Sequence, residues 1–342
     1  MSHTHDVLII GRGLAGTVLS ETLADAGLRV MIFDAQLPGR ASAVATGIVN
    51  PIVLRRTVPS WRASEMLAIA GAFYRELELD YEASFWHPMP LVELFPTAQE
   101  AGLWHMRMKE EEFSRLLAVG PGDDPAIAQL PQPYGSGVVK RCAWLDIPTL
   151  LRLHRERWIK AGALEERNVL DADVRTTSEG VEIDGHSAPI LIRCAGPFQP
   201  MEGLVPVRGE GLTVRMPGLA LRSMVHRGLF LLPVGDETYR AGATFAWDDV
   251  WSGPTQKGRD HLMDKLTRLW SGEIEVLDHW AGVRPAAQDR RPILGRMNGH
   301  EAVFTGLGSR GALLAPWCAA HLLEHVTKDA SIDPEVNAAR FY

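Results

Sequence analysis

Short apolar runs, amphipathic stretches and glycine turns alternate along this chain in a consistent order. Residues 6–10, Asp-Val-Leu-Ile-Ile, form an uninterrupted apolar run of the kind found in strands buried on both faces of a parallel sheet. Leu14, Val18, Leu19, Thr22, Leu23 and Ala26 then recur at helical spacing, and Gly27 is placed to cap the helix end. Residues 28–33 predict a second strand that ends at Asp34, so the chain opens as a βαβ unit. A longer helix is expected over 61–80, with Met66, Leu67, Ala70, Phe73, Tyr74 and Leu77 on one face. The prolines and glycines over 121–133 read as loop. Asp146-Ile147-Pro148 predicts a helix start, with proline at a tolerated first-turn position and Gly162 closing the helix. Residues 189–194 predict a strand. From Pro206 to Trp280 short strand-like runs alternate with turns, the pattern of an antiparallel sheet, and a last helix is expected from near Ala312 towards His325.

Composition narrows the class. The 342 residues are 46% hydrophobic and 23% charged, ordinary for a soluble globular chain long enough for one large domain or two interleaved ones. A net charge of -7 argues against a partner that presents a phosphate backbone, because nucleic-acid binders carry a basic footprint. No apolar run approaches the roughly 20 residues that span a bilayer. The first residues run straight into the first strand without a basic-then-apolar leader, and Cys142, Cys194 and Cys318 are too scattered for a disulfide framework or a zinc site. A reduced, cytoplasmic protein is the expectation. The twelve histidines show no metal-ligand spacing, so no metal is expected.

Gly11-Arg12-Gly13-Leu14-Ala15-Gly16 lies between the first strand and the first helix. A glycine at the first position permits the tight turn, Gly13 lets backbone approach a pyrophosphate, and Gly16 lets helix and strand pack closely. The helix N-terminus offers unpaired N–H groups and partial positive charge to the phosphates. Asp34 stands near the spacing at which a carboxylate accepts hydrogen bonds from ribose hydroxyls. By itself the motif leaves NAD and FAD open.

A small-residue loop, Gly39-Arg40-Ala41-Ser42-Ala43-Val44-Ala45-Thr46-Gly47-Ile48-Val49-Asn50-Pro51, follows Asp34. With Leu145-Asp146-Ile147-Pro148, Asn168-Val169-Leu170, Cys194-Ala195-Gly196, Val207-Arg208-Gly209-Glu210, Leu231-Leu232-Pro233, Gly242-Ala243-Thr244 and a Gly306-Leu307-Gly308-Ser309-Arg310-Gly311 loop, it resembles flavoproteins of the D-amino acid oxidase family. The branches most similar are the glycine oxidases and the oxidase domain of the bifunctional tRNA wobble-uridine enzyme; the stretch 61–132 resembles neither well.

The resemblance implies a doubly wound, Rossmann-like GR2-type α/β domain for noncovalent FAD, with an interleaved α+β substrate domain on an antiparallel sheet. The cofactor domain is expected over 1–60, 140–204 and 281–342, and the substrate domain over 61–139 and 205–280. Implied cofactor residues are Gly11, Gly13, Leu14, Ala15, Gly16, Asp34, Ala41, Ser42, Thr46, Gly47, Ile48, Val169, Cys194, Ala195, Gly196, Gly308, Ser309, Arg310, Gly311, Ala312 and Leu313. Arg284 takes the family position that pairs with a substrate carboxylate, weighed against a structural salt bridge to Asp289 or another acid. Arg310, flanked by glycines, is the second catalytic candidate. Phe230 stands where glycine oxidases carry a tyrosine, so Arg284 holds the acid alone or shares it with Arg310 or Tyr239. The expected reaction is oxidation of the C–N bond of an amino acid or N-substituted glycine to an imine, with oxygen or a quinone as final acceptor. The alternatives are a carboxymethylamino nucleoside of tRNA as substrate, or a flavin-binding protein without turnover.

Overall fold

A computed structural model of the chain describes residues 3–342. Among them, two large sheets organise the molecule. The first has six strands in the order Leu164–Glu165, Val30–Phe33, Val7–Ile10, Ile190–Arg193, Glu301–Thr305 and Ile293–Arg296. Its first five strands run parallel and the last is antiparallel. The continuous apolar runs foreseen for this sheet are buried as expected: Leu8, Ile9, Ile32, Phe33, Leu191 and Ile192 are fully inaccessible. The helices Leu14–Asp25 and Gly311–Lys328 pack against each other on it, which explains the apolar faces of both.

The second sheet has eight strands, in the order Glu275–Ala287, Leu204–Arg215, Thr238–Gly242, Phe230–Gly235, Met224–His226, Leu91–Leu94, Ser136–Val139 and Leu117–Val119. Pairing is antiparallel except between Met224–His226 and Leu91–Leu94, which run parallel. That parallel pair is made by a strand from far upstream inserted beside the later hairpins.

Three details depart from the sequence reading. The segment 61–139 is divided between the two cores. Its helix Ala63–Tyr81 buries Met66, Leu67, Ala70 and Tyr74 in the core of the first sheet, while Leu91–Leu94 and Ser136–Val139 join the second. The strand Glu275–Ala287 continues without a break past residue 281, so Arg284 is carried by the substrate sheet. Finally, Gln256–Leu269 is a helix inside a region read as strands and turns. Thr255 caps it by accepting from the Gly258 N–H, and Leu262, Leu266 and Leu269 bury its apolar face. No helix of the described residues is long and apolar enough to cross a membrane.

Candidate active site

One cavity of about 890 Å³ runs from the glycine turn of the first sheet to the face of the second. Its first end is shaped by the fingerprint. Gly11 has φ +97°, and a Cβ there would lie 2.5 Å from the Cys194 carbonyl oxygen. Gly16 does not line the cavity; a Cβ on it would sit 1.9 Å from the Gly11 carbonyl oxygen, so its role is close packing of the helix under the turn. Gly13 precedes the helix, and the Ser42 hydroxyl accepts from the Leu14 N–H at 3.0 Å. Ser42 thereby ties the small-residue loop to the helix N-terminus.

Asp34 is buried at the cavity edge, where its carboxylate accepts from the Arg12 backbone N–H at 3.0 Å and from Arg40 at 3.3 Å. The Arg12 guanidinium, 3.8 Å from the same carboxylate, also donates to the Leu151 carbonyl. The fingerprint marked position 12 only as a variable residue. Its side chain turns out to hold the acid expected to meet ribose, and no spacing rule announces that role.

The small-residue loop lies between the two sheets. Gly47 approaches so closely that a Cβ would be 1.8 Å from the Leu145 carbonyl oxygen. Arg240, on the substrate sheet, donates to the carbonyls of Val44 and Ala45 and stacks over Trp280, pinning the loop from below. Ala41, Ser42, Thr46, Gly47 and Ile48 line the cavity, as do Val169, Cys194, Ala195 and Gly196. On the far wall Gly308, Ser309, Arg310, Gly311, Ala312 and Leu313 lead into the last helix. Leu14 and Ala15 complete the expected set, so every residue foreseen for the cofactor except Gly16 faces this space. The glycine turn, the buried acid and the helix N-terminus fit a dinucleotide, and the long cavity leaves room beyond it for a ring system and a small substrate.

Across the second sheet, residues of one cross-strand row are in register: Trp280, Gly211, Gly242, Phe230, His226 and Glu93. Arg284 lies four residues along from Trp280 on the same face, with its guanidinium spread over Gly209. Glycines in these strands clear the floor for the large side chains that cross it. The Arg284 guanidinium donates to the Thr244 carbonyl at 3.2 Å and sits 4.6 Å from the centre of the Phe245 ring, and no carboxylate among the described residues pairs with it. Burial lowers its pKa to about 10, so it remains cationic at neutral pH. The salt bridge to Asp289 does not form; Asp289 is bound by Arg340 at 2.7 Å. Arg310 also lines the cavity, and one of its terminal nitrogens is buried without a partner. Burial, with Arg290 and Arg56 nearby, depresses its pKa.

Tyr239 corrects the sequence reading. It lies in the apolar core behind the sheet, where its hydroxyl donates to the Leu219 carbonyl and accepts from the Leu221 N–H. It precedes Arg240 on its strand, and because side chains alternate, a cavity-facing Gly242 row places Tyr239 on the opposite face. Phe230, by contrast, does line the cavity. Phe245, Trp280 and His226 line it too and were not singled out beforehand; cross-strand register reveals Trp280 and His226, and the ring contact with Arg284 reveals Phe245.

The chain matches the FAD dependent oxidoreductase family, DAO, over residues 6–325, and belongs to it. It is 26% identical over 361 residues to the glycine oxidase of Pseudomonas aeruginosa, covering 96% of both chains. It is 24% identical over 360 residues to the tRNA 5-methylaminomethyl-2-thiouridine biosynthesis bifunctional protein MnmC of Marinobacter nauticus, covering 94% of this chain but only 56% of that one. Among solved structures, glycine oxidase from Geobacillus kaustophilus superposes with a TM-score of 0.82 at 22% identity, covering 97% of each chain. Iminodiacetate oxidase from Chelativorans sp. BNC1 gives 0.80 at 21% identity, covering 97% of this chain and 99% of that one. The cofactor of this oxidoreductase is therefore FAD.

Proposed function

We propose that the protein oxidises the C–N bond of an amino acid or N-substituted glycine to an imine. The observation that carries this reading is Arg284: a cation in the wall of the flavin cavity with no acid of its own. An unpaired guanidinium in such a place is a costly feature unless an anion completes it, and a carboxylate matches its planar fork. Bound FAD would supply the hydride acceptor, with oxygen or a quinone as the final oxidant. The protein's own work is positioning. Arg284 holds the acid end, and the glycine-cleared row lets the α-carbon approach. Arg310, in the loop before the last helix, adds positive charge to the same cavity.

The flavin is held without a covalent bond in this reading. Cys194 faces the cavity, but burial pushes its thiol pKa up, away from the reactive thiolate, and Cys318 is buried within the last helix. Acid precipitation is expected to leave a colourless pellet and a yellow supernatant.

Substrate choice follows from the cavity wall around Arg284. Phe230 and Phe245 offer ring surface and no hydroxyl there. We expect weak activity on glycine and higher kcat/KM as apolar groups are added to carbon or nitrogen, each buried methylene contributing about 0.8 kcal/mol. A kcat/KM series over glycine, sarcosine, alanine, proline and longer apolar amino acids tests this. Glycine as the best substrate refutes the apolar-wall reading. Inactivity of the whole series turns attention to a tRNA nucleoside, as the name of the Marinobacter relative indicates, or to a protein that binds flavin without turnover.

A further inference from the structure

The reaction proposed above needs an uncharged amine, because a nitrogen that carries an extra proton has no lone pair to assist loss of hydride. Arg284 and Arg310 are both cations and take no proton. The remaining titratable group that the substrate sheet presents to the cavity is His226. It stands in the same cross-strand row as Phe230, with ring centroids 4.6 Å apart, and its Nδ1 is 2.6 Å from a Glu93 carboxylate oxygen on the neighbouring strand. Glu93 is buried, and burial raises its pKa while the histidine opposes that shift. An ionised carboxylate only accepts, so with Glu93 ionised the imidazole proton sits on Nδ1 and Nε2 is left as a lone-pair acceptor. A carboxylate behind a histidine also orients the ring and stabilises the imidazolium once a proton arrives.

We propose that His226 is the base that accepts the substrate's ammonium proton, with Glu93 as its positioning residue. The inference rests on amine oxidation as the reaction. The N–H bond of the ammonium breaks, its electron pair stays on nitrogen, and an Nε2–H bond forms on His226; the proton then leaves to water. Charged groups around the pair are few. Glu100, on the helix Ala98–Arg107, acts on Glu93 from behind, Lys265 is bound to the Gly228 carbonyl of the same hairpin, and Arg227 points outward to the Pro131 carbonyl. Arg55 and Arg284 share the cavity wall.

The alternative is a cross-strand contact that only holds the sheet together, and pH separates the two. The probe is anaerobic reduction of the holoenzyme by sarcosine and by proline, followed as flavin bleaching from pH 6 to about 10, the upper end being the range in which a secondary amine loses its own proton. For the wild type, the rate at limiting substrate is expected to rise through the titration of the His226–Glu93 pair and then level off. His226→Asn keeps a side-chain donor for Glu93 but has no titrating acceptor. It should be about 10²-fold slower at neutral pH and rejoin the wild type as the amine deprotonates unaided. Glu93→Gln should shift the rising limb without removing it. A uniform loss at every pH in His226→Asn, or an unchanged profile, overturns the proposal. If His226→Asn does not retain FAD, the Glu93→Gln profile decides: a rising limb at the wild-type position overturns the proposal. No bleaching of wild-type flavin by either amine, or by any member of the amino-acid series, is a failure of the amine-oxidation reading and is seen before any variant is made.

Discussion

Arg284→Lys is expected to lower kcat/KM by about two to three orders of magnitude while FAD content stays at the wild-type level. A lysine keeps the charge but replaces two parallel, directed hydrogen bonds with a mobile point charge. Hydrogen bonds to charged groups contribute about 1.5–3 kcal/mol each, and about 1.4 kcal/mol is a factor of ten. The wall around Arg284 makes the loss hard to compensate. Its guanidinium lies flat over Gly209, where no side chain fits beneath it, and against Phe245 on another side. A shorter contact surface leaves a gap that the glycine cannot fill. FAD should be unaffected, because the acid proposed to meet the cofactor ribose, Asp34, is held by Arg12 and Arg40 at the other end of the cavity. Steady-state kinetics on the best amine of the series, with flavin absorbance per polypeptide as control, provides the check. A variant with near wild-type kcat/KM removes the carboxylate anchor from the mechanism.

Gly16→Val should abolish FAD retention and destabilise the fold. The first side-chain carbon alone would fall 1.9 Å from the Gly11 carbonyl oxygen. That neighbour is backbone, fixed by the Gly11 N–H bond to the Phe33 carbonyl at 2.8 Å, so it cannot swing aside as a flexible side chain would. The helix must therefore lift off the sheet. Overpacking of this kind costs about 1–3 kcal/mol or more, and the displacement also moves the Leu14 N–H and the Ser42 hydroxyl bound to it away from the turn. The expected product is colourless protein with a lowered Tm, read by flavin absorbance and thermal unfolding. Purified Gly16→Val with a full complement of tightly bound FAD disproves the close-packing role.

The local half of this structure was legible from residue order. A βαβ unit is built from neighbours in the chain, so its apolar runs, its glycine turn and its terminal acid appear consecutively, and Asp34 and the Leu14–Asp25 helix lie where periodicity places them. The glycines at 11, 16 and 47 are similarly readable, since a position that excludes a Cβ leaves a glycine in the sequence whatever else surrounds it. Arg284 stood out by family position, although its freedom from Asp289 did not.

What residue order did not contain is the pairing of distant segments. The row Trp280–Gly211–Gly242–Phe230–His226–Glu93 draws on strands from Leu91 to Ala287, and nothing local in Glu93 or His226 marks them as neighbours. Strand register alone decides that Phe230 faces the cavity and Tyr239 the core, because successive side chains point to opposite faces and a one-residue difference reverses the assignment. Tertiary packing likewise assigned the Ala63–Tyr81 helix to the cofactor core: its apolar stripe was visible in the sequence, but an apolar stripe does not specify which surface it covers. Sequence by itself determined the elements and the cofactor turn; the long-range sheet pairing determined which side chains share the site, because that depends on register and packing between segments far apart in the chain.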